Sequence, residues 1–249
     1  GAGSRQFVSN CQYRNPRVVR IAGLGYQRGF GGHFHNDNSI TALRDIPGLV
    51  VGCPSRGDDA AMMLRTLAAL AKVDGPAAGD GPRRVVPGPS ARYVAKALHP
   101  AGQGQWLFPY PPQDDAMPLG EGRVYGEDAD DLVIFTYGNG VPMSLRAART
   151  IECRHGWKVR VVDLRWLVPL NEGFIAAQAK TAKRILVVDE GRHAAGVGEG
   201  VITAIAEAGH HARPFQRVVG ADTYTPLAGA AFLVLPGDED IVAAADRLA

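Results

Sequence analysis

Apolar residues follow two rhythms along this chain, and the rhythms alternate. Short unbroken apolar runs of strand length give way to stretches where apolar residues return every three or four positions. The second half is the more regular. DLVIFTY (131–137) reads as a buried strand, broken by Gly138, Asn139 and Gly140. PMSLRAARTIECRHG (142–156) follows as a helix, with Pro142 in its first turn and Gly156 at its stop. KVRVVDL (158–164) predicts a second strand, NEGFIAAQAKTAK (171–183) a helix and RILVVDE (184–190) a third strand. VGEGVITAIAEAG (197–209) is a helix closed by Gly209, FQRVVG (215–220) a fourth strand, and AFLVLP (231–236) a short fifth element. DEDIVAAADRLA (238–249) is a terminal helix whose leading acids suit the positive end of the helix dipole. Strands alternating with helices of this length predict an α/β fold with a doubly wound, mostly parallel sheet.

The first half carries the same alternation in broken form. RVVRIAG (17–23) predicts a strand. A glycine-rich stretch from Gly23 to Gly32 runs into HFHNDNS, with a helix starting near Ser39. PGLVVGCPS (47–55) reads as turn, strand and turn. DDAAMMLRTLAALAKVDG (58–75) is a helix with Ala61, Leu64, Leu67, Ala68 and Ala71 on one face. A strand is due next, and GPAAGDGPRRVVPGPSAR (75–92) argues against one: it holds four prolines and four glycines, which disfavour a central strand. The Gly- and Pro-rich run from Gln103 onward reads as a linker ending near Asp130. Three segments are therefore expected: 1–102, a linker over 103–130, and a regular domain over 131–249.

Composition narrows the function classes. The 249 residues are 46% hydrophobic and 21% charged, the balance of a globular protein. Twenty-seven basic against 25 acidic residues leave a net charge of +2, which gives no electrostatic case for a nucleic-acid or membrane-surface partner. Cys11, Cys53 and Cys153 form no CxxC pair, so neither a disulfide framework nor a structural zinc site is expected. No apolar run approaches membrane-span length, and a soluble, cytoplasmic setting is the expectation.

The densest polar cluster is Gly31-Gly32-His33-Phe34-His35-Asn36-Asp37-Asn38, where a glycine-rich loop meets a helix start. Three readings compete. His33 and His35 with Asp37 could hold a metal, although a site needs at least three ligands. Asp37 or Asn38 could simply cap the helix. One histidine could line a cleft at the carboxyl end of the sheet, where open α/β folds bind ligands. VDEGRHAAGVGEG (188–200) is a second candidate, a strand running through glycines into a helix start suited to an anion. Its alternative is a tight turn packed against a neighbouring subunit or domain. Gly79-Asp80-Gly81 has the letters of a magnesium-diphosphate motif, but no Asn follows before Asn139, so it reads as accidental. Cys53, after an apolar run, reads as a buried small thiol.

Several segments, in order, carry a resemblance. The histidine loop with Pro47-Gly48-Leu49 and Pro54-Ser55, VVDLRWLVPLN (161–171), ILVVDEGRHAAGVGE (185–199) and RVVGADTYTP (217–226) together resemble the β subunit, or β half of a fused chain, of thiamine-diphosphate-dependent 2-oxoacid dehydrogenases. The likeness covers about residues 8–248. It implies a partial pyrimidine-binding domain over 1–102, then a transketolase C-terminal-like domain over 131–249. It implies oxidative decarboxylation of pyruvate or a branched-chain 2-oxoacid, with acyl transfer to a lipoyl group. Its implied partners are an α subunit or α half and a lipoyl-bearing dihydrolipoyl acyltransferase, in a hetero-oligomer or a dimer of fused chains. Thiamine diphosphate would be shared with the α part, which would also supply the magnesium ligands, so no metal site is expected here. By position in the loop, His35 takes the proton-handling role, His33 is second choice, and Phe34 and Asn36 border the cofactor. Glu190 and Gly191 take structural or interfacial roles.

Two departures qualify these implications. The chain opens GAGSRQ and enters the family pattern near Ser9–Tyr13, downstream of the glutamate that the family sets against the aminopyrimidine ring. The expectation is a fragment inactive by itself, or a non-catalytic assembly module of the same family. Where the family has an apolar strand ending in an acid–proline pair, this chain has GPRRVVPGPSAR, the residue types that compensating frameshifts in a GC-rich gene would leave. A missing strand there would leave 1–102 poorly ordered and 131–249 folding independently. A reading of another class remains: a metal-dependent hydrolase built on His33, His35 and Asp37.

Overall fold

A computed structural model describes residues 18–25, 37, 39–73, 83–89, 98 and 104–249, with backbone alone for 22, 72, 73 and 83–89. Two sheets organise these residues. The first runs β1 (Val18–Gly23), β3 (Arg83–Pro89), β2 (Leu49–Gly52) and β7 (Trp166–Val168) across its width. The second runs β4 (Arg123–Tyr125), β6 (Val159–Asp163), β5 (Leu132–Thr136), β8 (Ile185–Asp189) and β9 (Phe215–Val219). All neighbours are parallel except the edges β4 and β7, which run antiparallel to β6 and β2. The α/β, mostly parallel architecture read from the sequence is the one the chain adopts.

One expectation fails. Residues 83–89 do form a strand, and it lies between β1 and β2. Its pairing explains why the prolines are tolerated. β2 pairs only with Arg83–Val85, the proline-free start of the strand. Pro87 and Pro89 lie beyond that, beside Ile21 and Gly23 of β1, so β2 asks no hydrogen bond of them. Proline is excluded from a strand only where the neighbour that its N–H would face needs that donor, and the composition of 75–92 gave no register.

In the second sheet, alternation sorts each strand's side chains into two cores. Leu132 and Ile134 of β5 face α3 (Gly140–His155) and α6 (Asp238–Asp246), meeting Met143, Ala147, Ile151, Ile241 and Ala245. Val133 and Phe135 face α4 (Glu172–Lys180) and α5 (Val197–Glu207). Gly156 ends α3 in the left-handed region at φ +68°, and Asn171 caps α4 by accepting from the Phe174 N–H.

The second of these cores does not stop at the sheet. Leu24, the helix α1 (Ile40–Arg44) through Ile40 and Leu43, and Leu49, Val51 and Cys53 belong to it as well. The two halves of the chain thus share one apolar interior. A third cluster sits at their junction, where Met63 and Leu67 of α2 (Gly57–Val73) meet Val50, Met117 and Trp166. The buried ridge of α2 is Asp59–Met63–Leu67, whereas Leu64 and Ala68 of the expected face are exposed. An alanine-rich helix leaves its inner face ambiguous in sequence, and Trp166 chose it. The 104–130 segment is packed rather than free: Trp106 and Met117 are buried, and β4 is a sheet edge. Among the described residues no helix is long and apolar enough to cross a membrane.

Trp166 is fully buried against Gly52, where even a Cβ would stand 2.5 Å from Met63 Cε. Trp166→Ala is expected to lower the unfolding free energy by about 3–5 kcal/mol, read as a lower urea midpoint. A shift below about 1 kcal/mol would mean the junction tolerates the cavity.

Candidate functional site

The strands of both sheets end toward a common cleft. β1 ends in Gly23-Leu24-Gly25, β5 in Tyr137-Gly138-Asn139, β8 in Asp189-Glu190-Gly191-Arg192 and β9 in Gly220. Open α/β sheets bind ligands at such carboxyl ends. Close approach of the first two demands glycine at Gly138: its φ is +55°, and a Cβ would stand 3.0 Å from both Cys53 Sγ and Leu24 Cδ1.

Two adjacent acids on β8 do different work. Asp189 is buried and accepts from Tyr137 Oη at 2.6 Å, from the Gly191 N–H at 2.7 Å, and from the Gly198 N–H at 2.7 Å. It therefore occupies the start of α5, so the anion expected at this helix start is the chain's own carboxylate. Glu190 turns the other way. Its Oε2 accepts from Asn139 Nδ2 at 2.8 Å, and its Oε1 accepts from the Gly25 N–H. Gly25 approaches so closely that a Cβ there would stand 2.5 Å from Leu235 Cδ1.

Two residues on, Arg192 donates to Asp37 Oδ1 at 2.7 Å, with the Tyr224 ring 5.4 Å from its guanidinium. Asp37, Glu190, Arg192, Thr223 and Thr225 border a cleft of about 20 Å³. That holds about one water. Nearby, Arg44 donates to the Gly196 and Ala195 carbonyls at 2.5 and 3.4 Å, tying α1 to the turn before α5.

Of the residues singled out in the sequence, His33, Phe34, His35, Asn36 and Asn38 lie outside the described residues. Asp37 is described, and its carboxylate is engaged by Arg192. That corrects the capping reading: the residue before α1 is Ser39, with no side-chain cap hydrogen bond. Cys53 is fully buried, and burial first, then the nearby Glu190 and Asp163 charges, push its thiol well above its ordinary range. An inert buried thiol is what the sequence led one to expect.

A second buried polar group lies under the junction of the sheets. Asp163 Oδ2 accepts from Ser55 Oγ at 2.5 Å and Oδ1 from the Arg165 N–H at 3.1 Å. Arg165, at φ +57°, sends its buried guanidinium to both oxygens of Asp59, at 2.8 and 3.2 Å, and Arg123 adds a third contact at 2.9 Å. Nothing in the sequence marked these residues, nor Asn139, Glu190 and Arg192 as a set. The one available signal was the pair of acids closing an otherwise apolar strand at 189–190.

The chain matches the transketolase C-terminal domain family over residues 120–237. It is 33% identical over 236 residues to the 3-methyl-2-oxobutanoate dehydrogenase subunit beta of Mycobacterium tuberculosis, covering 94% of this chain and 61% of the relative. It is 34% identical over 134 residues to the pyruvate dehydrogenase E1 component subunit beta of Staphylococcus aureus, covering 53% of this chain and 41% of that one. The chain thus spans about three fifths or less of the length of these relatives. A solved structure titled as a split gene transketolase, inactive beta4 tetramer, superposes with a TM-score of 0.67 at 22% identity, over 99% of this chain and 72% of that one. That likeness carries the fold.

Burial pushes the Asp163 carboxyl up to about 6, with Ser55 and Arg165 opposing the rise. Its value in the unfolded chain is about 4. The folded state therefore binds the extra proton between those limits, and stability falls as pH rises from about 4 to 6, by roughly 2–3 kcal/mol. Urea titrations across that range should show the slope in the wild type and a flatter profile in Asp163→Asn. A wild-type profile that rises there instead would reverse the sign.

Proposed function

We propose, from the likeness to the β subunits of a branched-chain and a pyruvate dehydrogenase and to the transketolase C-terminal domain family, that this chain is the β part of a thiamine-diphosphate-dependent 2-oxoacid dehydrogenase. The reaction is oxidative decarboxylation of a branched-chain 2-oxoacid or pyruvate, with the acyl unit passed to a lipoyl group on a dihydrolipoyl acyltransferase. The chain works with an α part and is inactive without it. The observation that carries this reading is the placement of the histidine loop's two stems. Gly25 and Asp37, which flank it, are both held at the carboxyl end of β8, by Glu190 and Arg192.

The cleft beside Glu190 leaves no room for thiamine diphosphate among the described residues. The Glu190 carboxylate already receives two protein donors, and the adjoining cleft of about 20 Å³ admits no more than a water. In this reading the cofactor is held by the α part together with the histidine segment, where Phe34 and Asn36 border it. When bound, it supplies the carbanion that takes up the keto carbon. This chain's contribution is a proton-handling imidazole beside that carbon, His35, with His33 second. Histidine suits the task because its unperturbed pKa of about 6.5 lies near working pH.

The test is 2-oxoacid-dependent reduction of an artificial electron acceptor, with thiamine diphosphate, magnesium and the α component added. Activity in the assembly, absent from the chain alone and lowered about 100-fold or more by His35→Ala, is the expected result. A folded assembly that turns over neither pyruvate nor a branched-chain 2-oxoacid would overturn the reading and favour an assembly module.

A further inference from the structure

A groove of about 490 Å³ runs between α3 and α6, on the side of the second sheet away from the first half of the chain. Arg146, Thr150 and Arg154 line it from α3, and Asp238, Glu239 and Asp246 from α6. The two arginines cross it as rungs. Arg146 pairs with Asp238 at 2.6 and 2.7 Å. Arg154 pairs with Asp246, whose other oxygen meets His155 Nε2 at 2.7 Å. Helical spacing of four in each direction sets Thr150 between the two guanidiniums on one face of α3.

The Thr150 hydroxyl is free for chemistry. Thr66 in α2 and Thr203 in α5 return their hydroxyls to the carbonyl four residues back, at 3.1 and 2.9 Å. Thr150 is exposed, and its hydroxyl has no hydrogen-bond partner among the described residues. Arg149 precedes it directly, so arginines stand four before, one before and four after this hydroxyl.

We propose that Thr150 is a phosphoryl-acceptor site for an arginine-directed protein kinase, and that Arg146 and Arg154 receive the phosphoryl group at the expense of their pairs with α6. The inference does not depend on the activity assigned above. The co-reactant is a nucleoside triphosphate. The threonine oxygen forms a bond to its γ-phosphorus, the bond to the β-phosphate oxygen breaks, the nucleoside diphosphate leaves, and the hydroxyl proton passes to the kinase's base.

Charge decides which partner the arginines keep. The phosphoryl group brings about −1.5 to −2 charges and three strong acceptor oxygens. A guanidinium four residues away in either direction can meet it with two parallel hydrogen bonds. The carboxylates that now hold the arginines carry one charge each, and both are 37% exposed. Solvated pairs of that kind exchange at little cost. The added charge also faces Asp238, Glu239 and Asp246 across the groove, and repels them. Both effects act in one direction. The ties between α3 and α6 open, and α6 holds Ile241, Ala245 and Leu248 less firmly in the core they share with α3.

The experiment incubates the chain as it stands with ATP and the catalytic domain of a kinase that selects arginine upstream of its target. Thr150→Val keeps the branched shape and removes the hydroxyl. Mass spectrometry should place the phosphoryl group on Thr150, with no label at that peptide in Thr150→Val. In the modified chain, hydrogen exchange across 238–246 should rise roughly 3- to 10-fold. The phosphoryl titration midpoint, read by phosphorus NMR, should fall below its ordinary value of about 6, because the arginines favour the dianion. A chain with phosphoserine incorporated in place of Thr150, together with Arg146→Gln and Arg154→Gln, should return the midpoint to about 6. No label on Thr150 would overturn the acceptor site. Unchanged exchange across 238–246, in the labelled chain or in one carrying phosphoserine at that position alone, would overturn the opening of α6. A midpoint that ignores the two glutamine substitutions would overturn the role given to the arginines.

Discussion

The structure turns on a buried charge pair. Arg165 enters the interior between the two sheets, where an unpaired guanidinium would be prohibitive. Asp59, at the start of α2, meets it with both carboxylate oxygens, and Arg123 shares one of them. Buried pairs of this kind gain little net stability over apolar packing, but breaking one strands the other charge. Here the pair acts as a register pin. With Arg165 fixed, its carbonyl accepts from the Cys53 N–H at 2.6 Å, and Gly52 and Val51 pair with Trp166 and Val168. A strand from the second half of the chain thereby completes the sheet of the first half.

The carboxyl ends of the two sheets are brought together as a consequence. Once β7 lies beside β2, the ends of β1 and β5 converge on Gly138, Leu24 and Cys53, and Glu190 reaches Gly25. Besides Asp59, three acids then sit in or near the interior, at positions 163, 189 and 190, and each has specific donors. Asp189 receives three, which makes it a structural brace of the turn. Asp163 receives fewer and is deeply buried, which is why its carboxyl holds a proton more readily than an exposed one. Cys53, fully buried and near the Glu190 and Asp163 charges, is kept as a thiol and away from chemistry.

The shared interior also bears on how the two halves depend on each other. Leu24, Ile40, Leu43, Leu49 and Val51 pack into the same core as Val133, Phe135 and Val201. Without the first half, the face of β5 and β8 that takes them would be covered only in part, by α4 and α5. The opposite face is covered entirely by α3 and α6 from the second half, and the Arg146–Asp238 pair ties those two helices together. The second half supplies one complete core and part of another.

Periodicity and local backbone preference determined the order of the main elements, the mostly parallel sheet and the helix stop at Gly156, because these follow from local spacing. The ordered motifs from 161 to 226 also carried the family resemblance. Local reasoning failed wherever a residue's role depended on a partner far along the chain. The prolines of 83–89 argued against a strand until β2 proved to pair only with its first three residues. The inner face of α2 was ambiguous until Trp166 settled it, and β4 and β7 are too short to show a period. Glu190 read as a structural or interfacial acid at a strand end. Its donors are 51 and 165 residues away in sequence, and only the folded chain brings them to it.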